Sequence, residues 1–221
     1  MPQKKCSLVK KVTRSVRCNY LLFLPSYYAK TKKKWPLMLF LHGSGERGDD
    51  LELVKKHGVA KIVEENPAFP FIVASPQCPK DQWWSTEALA ALLDSLERKY
   101  RIDPNRIYIT GLSMGGFATW QLAFENPNRF AAIAPICGGG IPNLTFLIKH
   151  LPVWVFHGAK DEAVPVAEAH RMVASLLKRG STKVRLTIYP DAGHDSWTET
   201  YANKKLYAWF LSKRRSKSRS R

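Results

Sequence analysis

Six short apolar runs punctuate the chain, at residues 36–41, 69–74, 106–110, 130–136, 153–157 and 184–189. Each shows little polar alternation, as strands buried on both faces of a sheet do. Between them lie segments with apolar residues three and four apart, the spacing of one helix face. The clearest spans residues 85–100, with Leu89, Leu92, Leu93 and Leu96 inward and Ser85 placed as a cap. Residues 114–126 and 166–178 are further helices, the latter with Pro165 at its first turn. Residues 201–211 close the chain as a helix with Leu206, Tyr207 and Phe210 on its inner face. An earlier alternating stretch, residues 12–24, predicts a hairpin or an antiparallel edge strand. This order predicts an α/β fold: a mostly parallel central sheet, helices on both faces and right-handed crossovers. There is no internal repeat, and one domain is expected over residues 1–212. Residues 137–152 leave no room for a large lid, so a site at the strand ends should be open.

Composition narrows the class. Hydrophobic residues make up 45% of the 221, enough for a sizeable core. No apolar run approaches the ~18 residues of a membrane span. The basic start, Met1-Pro2-Gln3-Lys4-Lys5, is followed by no apolar region, so it is not a secretory signal as written. A cytoplasmic location is the expectation, although a trimmed secreted chain would read the same. Cys6, Cys18, Cys78 and Cys137 match no zinc spacing and are too few to staple the chain. They read as small hydrophobes with one exposed thiol.

The formal net charge is +17. Much of it sits in residues 4–17, in Lys30, Lys32, Lys33 and Lys34, and in residues 213–221. The last stretch lacks apolar residues and reads as a disordered basic tail. Such runs attract polyanions without specificity, and the simplest reading is a solubilising surface. No specific nucleic-acid partner is expected, and the sequence is silent on oligomeric state.

One motif carries chemistry. Gly111-Leu112-Ser113-Met114-Gly115 is G-x-S-x-G placed after a predicted strand and before a predicted helix. A serine there stands at the tip of a sharp, strained turn, and glycines at the flanking positions remove collisions with neighbouring elements. Three fixed residues at average frequencies should coincide about 0.07 times in a chain this long, before the strand–helix context is required. The competing reading is a phosphate-cradling glycine turn, but residues 111–116 fit neither G-x-x-x-x-G-K-[ST] nor G-x-G-x-x-G.

Acyl transfer also needs two N–H groups aimed at the tetrahedral oxyanion. Met114, after the serine, should supply one. The loop His42-Gly43-Ser44-Gly45-Glu46-Arg47-Gly48, directly after the first long strand, should supply the other. Ser44 is the assigned donor, with Gly43 and Gly45 as alternatives. His42 comes too early in the chain for a base and reads as a brace.

Partners of such a serine follow in the order Asp or Glu, then His. Asp161 lies just past the strand at 153–157, where parallel sheets gather functional groups. His194 lies in the loop before the last helix. An imidazole can take the serine proton near neutral pH, and a carboxylate fixes its tautomer. His157 is a competing base; Glu162 and Asp191 are competing acids. His57, His150 and His170 read as surface or helix residues. A histidine base works unprotonated, so an optimum near or above neutral pH is expected.

With these residues in place, the sequence resembles a known group. Leu41 to Gly48, Pro76-Gln77-Cys78-Pro79 with Trp83-Trp84, Tyr108 to Phe117, and Gly193-His194-Asp195-Ser196-Trp197 carry the likeness. It is similar to the lidless α/β-hydrolase esterases related to feruloyl esterases, polyhydroxybutyrate-depolymerase-like enzymes and proteins labelled predicted peptidases. The resemblance runs from about Tyr20 to Leu211 and leaves out both basic ends. It implies the α/β-hydrolase fold, the triad Ser113, Asp161 and His194, and ester hydrolysis through an acyl-enzyme. No metal or organic cofactor is implied. The substrate, a small-molecule or polymer-derived ester, does not carry over, because members differ in what they cleave. Among Trp83, Trp84 and Trp197, Trp84 is the first choice for a substrate contact. The alternatives are a serine peptidase of the same fold and, in another class, a catalytically idle polyanion-binding module.

Overall fold

The computed structural model describes residues 3–215. Seven strands form one sheet: β1 (Tyr20–Phe23), β2 (Trp35–Leu41), β3 (Ile72–Pro76), β4 (Ile102–Leu112), β5 (Ala132–Ile136), β6 (Val153–Gly158) and β7 (Val184–Tyr189). Their order across the sheet is β1-β3-β2-β4-β5-β6-β7. Only β1 runs antiparallel, pairing Tyr20 with Pro76 and Phe23 with Val73. It caps the edge, as the alternation at residues 12–24 predicts; the rest of that stretch forms no strand. The other pairings are parallel, so the carboxyl ends of β2 to β7 open on one side. This is the α/β-hydrolase fold.

Among the described residues six α-helices cover the sheet: α1 (Gly58–Glu65), α2 (Thr86–Lys99), α3 (Met114–Glu125), α4 (Ala167–Lys178), α5 (Trp197–Ala202) and α6 (Lys204–Leu211). Strand β2 shows how two cores arise from one sequence. Leu37, Leu39 and Leu41 face α2, α3 and α4. Met38 and Phe40 face α1, α5 and α6. A period of two sends alternate side chains to opposite faces, and both faces are apolar because both are covered.

The structure departs from the sequence pattern in specific places. Helix α1 was not expected. Strand β3 starts three residues later than the apolar run, because Phe69 N–H closes a turn onto Asn66 O (3.0 Å) before the chain straightens. The closing helix is two helices, split at Asn203, whose side chain accepts from Lys205 N (3.0 Å) and caps α6. Arg214 and Arg215, counted with the expected basic tail, are held against the domain. Arg214 donates to Asp103 Oδ2 (2.9 Å) and Arg215 to Asn128 O (2.8 Å); residues 216–221 lie outside the described ones. The described cysteines are free: Cys6 exposed, Cys18 half-buried, Cys78 and Cys137 buried. Among the described residues no helix is long and apolar enough to cross a membrane.

Candidate active site

The serine sits where the sequence places it. β4 ends at Leu112, α3 begins at Met114, and Ser113 between them has φ 52° and ψ −117°. A non-glycine residue at that angle is strained and needs its surroundings to hold it. The glycines are sterically required. A Cβ on Gly115 would lie 2.1 Å from Leu41 O, and one on Gly111 would lie 2.4 Å from Gly115 O. Ser113 N–H donates to Ile136 O (3.0 Å) and faces Cys137 Sγ (3.3 Å), tying the turn to the end of β5. Burial pushes the Cys137 thiol up to about 12, so it stays protonated beneath the elbow.

Two loops converge on this serine because two backbones touch. A Cβ on Gly158 would lie 2.1 Å from Gly193 O, so the end of β6 and the loop after β7 meet without side chains between them. Lys160 N–H donates to Ala192 O (2.9 Å) across the same seam. Asp161 thereby faces His194. Its Oδ1 accepts from Ala163 N (3.0 Å) and Val164 N (2.8 Å). Its Oδ2 accepts from His194 Nδ1 (2.8 Å), and His157 Nε2 stands 3.1 Å from the same oxygen. A carboxylate so surrounded can only accept, so His194 carries its proton on Nδ1. Nε2 is then free to accept from Ser113 Oγ, 2.9 Å away. The three side chains form one continuous hydrogen-bond chain.

None of the competing residues takes the place of Asp161 or His194 in it. His157 is fully buried and donates from Nε2 to Val164 O (2.8 Å), so it supports the Asp161 turn. Asp191 is exposed and pairs with Lys160 (2.8 Å), and Glu162 faces solvent. His150 and His170 lie on the surface, and His57 is half-buried beside Trp197. His194 itself is 28% exposed, consistent with an open site. The segment after β5 forms a 3-10 turn, Pro142–Ile148, rather than a lid. It is pinned to α4 by Ser175 Oγ donating to Pro142 O (2.7 Å).

Ser44 and Met114 each begin a helical turn, so neither N–H has an acceptor within its own helix. The loop carrying Ser44 lies against the elbow: a Cβ on Gly43 would be 3.7 Å from Ser113 Cβ and 2.8 Å from Leu112 Cδ1. Buried Glu46 accepts from Gly43 N (3.0 Å) and shapes this loop; nothing in its sequence spacing singled it out.

His42 braces the same loop. Cys78 N–H donates to its Nε2 (3.0 Å), so its proton is on Nδ1, which donates to Gly43 O (2.6 Å). A buried ring held this way refuses a second proton: burial lowers its pKa from 6.5 to about 4. The unfolded chain takes that proton up below about pH 6.5, the folded chain only near pH 4. Stability from this group is therefore complete above pH 6.5 and falls as pH drops towards 4, by up to about 3 kcal/mol. Urea unfolding at pH 7.0 and pH 4.5 should show a smaller loss for His42→Gln than for the wild type. Equal losses would place the acid sensitivity elsewhere.

Trp84 requires a correction. It is 6% exposed, packs tilted against the His42 ring at 4.7 Å between centroids and donates from Nε1 to His42 O (3.4 Å). It holds the loop from behind and offers no face to a substrate. Its neighbour Trp83 is 54% exposed and looks outward. Trp197 packs edge-on at 5.3 Å from His194. Among the described residues no group of three or more His, Cys, Asp or Glu side chains could hold a metal ion.

Comparison with known proteins places this arrangement. The chain is 24% identical over 185 residues to the bifunctional acetylxylan esterase/xylanase of Neocallimastix patriciarum, covering 79% of this chain and 26% of that protein. It is 25% identical over 206 residues to the poly(3-hydroxyoctanoate) depolymerase of Pseudomonas fluorescens, covering 80% and 73%. The chain thus spans about a quarter of the first relative and about three quarters of the second. The crystal structure of a thermostable esterase superposes with a TM-score of 0.78 at 37% identity, over 90% of this chain and 60% of that one. Residues 14–208 match the model of the Dienelactone hydrolase family, and the chain belongs to that family.

Proposed function

We propose that the protein is a serine hydrolase of carboxylic esters. The observation that carries this reading is the unbroken chain from Ser113 Oγ through His194 to Asp161, on an elbow with φ 52°. A serine hydroxyl is a weak nucleophile until a base at hydrogen-bond distance takes its proton, and His194 Nε2 stands at that distance. Names of the relatives, esterases and a polyester depolymerase, point the same way.

The mechanism has two stages. Ser113 Oγ attacks the carbonyl carbon while its proton passes to His194 Nε2. The carbonyl oxygen becomes an oxyanion held by the N–H groups of Ser44 and Met114. As the C–O bond to the alcohol breaks, His194 returns the proton to the departing alkoxide. Water then gives a proton to His194 and attacks the acyl carbon, and the acid leaves as Ser113 recovers its hydrogen. Asp161 holds the imidazole in the required tautomer and stabilises the imidazolium.

Purified protein should hydrolyse p-nitrophenyl esters and cleave aminoacyl anilides far more slowly. Anilides cleaved readily with esters left intact would replace this reading with a peptidase. Intact esters and anilides together, with salt-dependent binding of polyanions, would leave the binding module.

A further inference from the structure

A largely apolar cavity of about 580 Å³ runs along α3, its nearest wall to the elbow being Phe117, one helical turn beyond Ser113. Trp83, Phe117, Phe124, Ile141 and Leu144 form its walls, and Gly139 and Gly140 part of its floor. The size is that of a pocket for a small organic group. Two of its apolar walls are left open to solvent: Trp83 is 54% and Ile141 57% exposed. An ion pair, Arg171 to Glu168 at 2.7 Å, closes one side.

Phe117, Gly139 and Trp83 are each tied to a part of the site. Phe117 lies one helical turn beyond Ser113 on α3, its N–H donating to Ser113 O (3.1 Å). Gly139 follows two residues after Cys137, whose sulfur faces Ser113 N. Trp83 precedes Trp84, which holds the loop of Ser44 through His42, and its ring meets Phe117 edge-on at 6.1 Å. The glycines keep the space open: a Cβ on Gly139 would fall 3.0 Å from the Phe117 ring and 2.5 Å from Glu168 Oε2.

The cavity also has a definite side. Phe124 and Leu144 belong to the core between the sheet and α2, α3 and α4. Trp197, packed against His194, belongs to the core on the other face, with α1, α5 and α6. Ser113 stands between the two. The alcohol of an ester must lie towards His194, because its oxygen takes the proton from Nε2. An acyl substituent directed away from His194 would lie on the side of α3 that carries the cavity.

Resting on the ester-hydrolase reading, we infer that this cavity is the acyl subsite and that it favours esters of bulky apolar acids, aryl-bearing ones included, over acetates. A filled cavity gains by removing apolar surface from water, and the exposed rims of Trp83 and Ile141 are the surface an acyl group would cover. An acetyl group, with a single methyl, has little apolar surface to bury there.

The test compares kcat/KM for three esters: p-nitrophenyl acetate, p-nitrophenyl 3-phenylpropanoate, with its ring on the acid, and 2-naphthyl acetate, with its bulk on the alcohol. Two variants accompany the wild type. Trp83→Ala removes a half-exposed wall, and Leu144→Trp fills the space. The phenylpropanoate-to-acetate ratio should fall at least about tenfold in either variant, since one lost apolar contact is worth that much discrimination. The naphthyl-to-nitrophenyl ratio should hold within about twofold. Should Leu144→Trp unfold, Trp83→Ala carries the test alone. Turnover of all three esters with an unmoved phenylpropanoate ratio overturns the subsite and leaves the hydrolase reading standing. A fall confined to the naphthyl ester also overturns it, by placing the alcohol in the cavity. No turnover of any ester, with no acylation of Ser113, removes the hydrolase reading and the subsite with it.

Discussion

Ser113→Ala lowers ester turnover by about 10⁵-fold or more and leaves the fold intact. The loss is that large because the serine oxygen forms the covalent bond, and nothing nearby can replace it. Cys137 holds its sulfur 3.3 Å from Ser113 N, but it is buried and its thiol is pushed up to about 12. The fold survives because the Oγ makes one hydrogen bond, to His194 at 2.9 Å, at a partly open surface. The backbone bonds that hold the elbow, Ser113 N–H to Ile136 O and Phe117 N–H to Ser113 O, need no side chain. Alanine adopts φ 52° at a cost similar to that of serine. Steady-state assay beside a thermal melt checks both halves. Retention of wild-type turnover would mean that another group is the nucleophile.

Asp161→Asn is the second large effect, a fall of about 10⁴-fold in kcat. The amide oxygen can keep the two backbone donors, Ala163 N and Val164 N, now on Oδ1. The amide NH₂ must then occupy the place of Oδ2, facing His194 Nδ1 at 2.8 Å and His157 Nε2 at 3.1 Å. Donor would meet donor on both sides. His194 relieves the clash by moving its proton to Nε2, where it can no longer accept from Ser113. His157 cannot do so cheaply, because its Nε2 proton also serves Val164 O. A stability loss of about 1–3 kcal/mol should therefore accompany the kinetic one. Kinetics with NMR of the imidazole nitrogens reads both, and an unchanged Nδ1–H tautomer with near-normal kcat would refute the tautomer argument.

The parts of the site legible in the sequence are those under hard steric or chain-order constraints. Gly111 and Gly115 are visible because the elbow tolerates no side chain there, and the order Ser113, Asp161, His194 is visible because the parallel sheet delivers its loops in chain order. Contacts between distant backbones are not visible. Nothing local to Gly158 reveals that it touches Gly193, yet that seam brings acid to base. Trp83 and Trp84 are adjacent and alike, and which of them turns inward depends on the loop across from them, where His42 O waits for an indole N–H. Helix α1 escaped because eight residues are too few for a periodic signal, and it starts at Gly58 with φ 64°. The split between α5 and α6 hides in an apolar pattern that runs through Asn203 without a break. The basic residues, so prominent in composition, lie mostly on the exposed leading segment and surface and take no part in the chain of hydrogen bonds.

The most direct measurement is labelling of the full chain with a fluorophosphonate probe, followed by tryptic mapping of the modified residue. A serine activated by His194 attacks the phosphorus and expels fluoride, so the label should appear on Ser113 and be lost in His194→Ala. A folded protein that stays unlabelled, or that carries the label elsewhere, would contradict the assignment of Ser113 as an activated nucleophile.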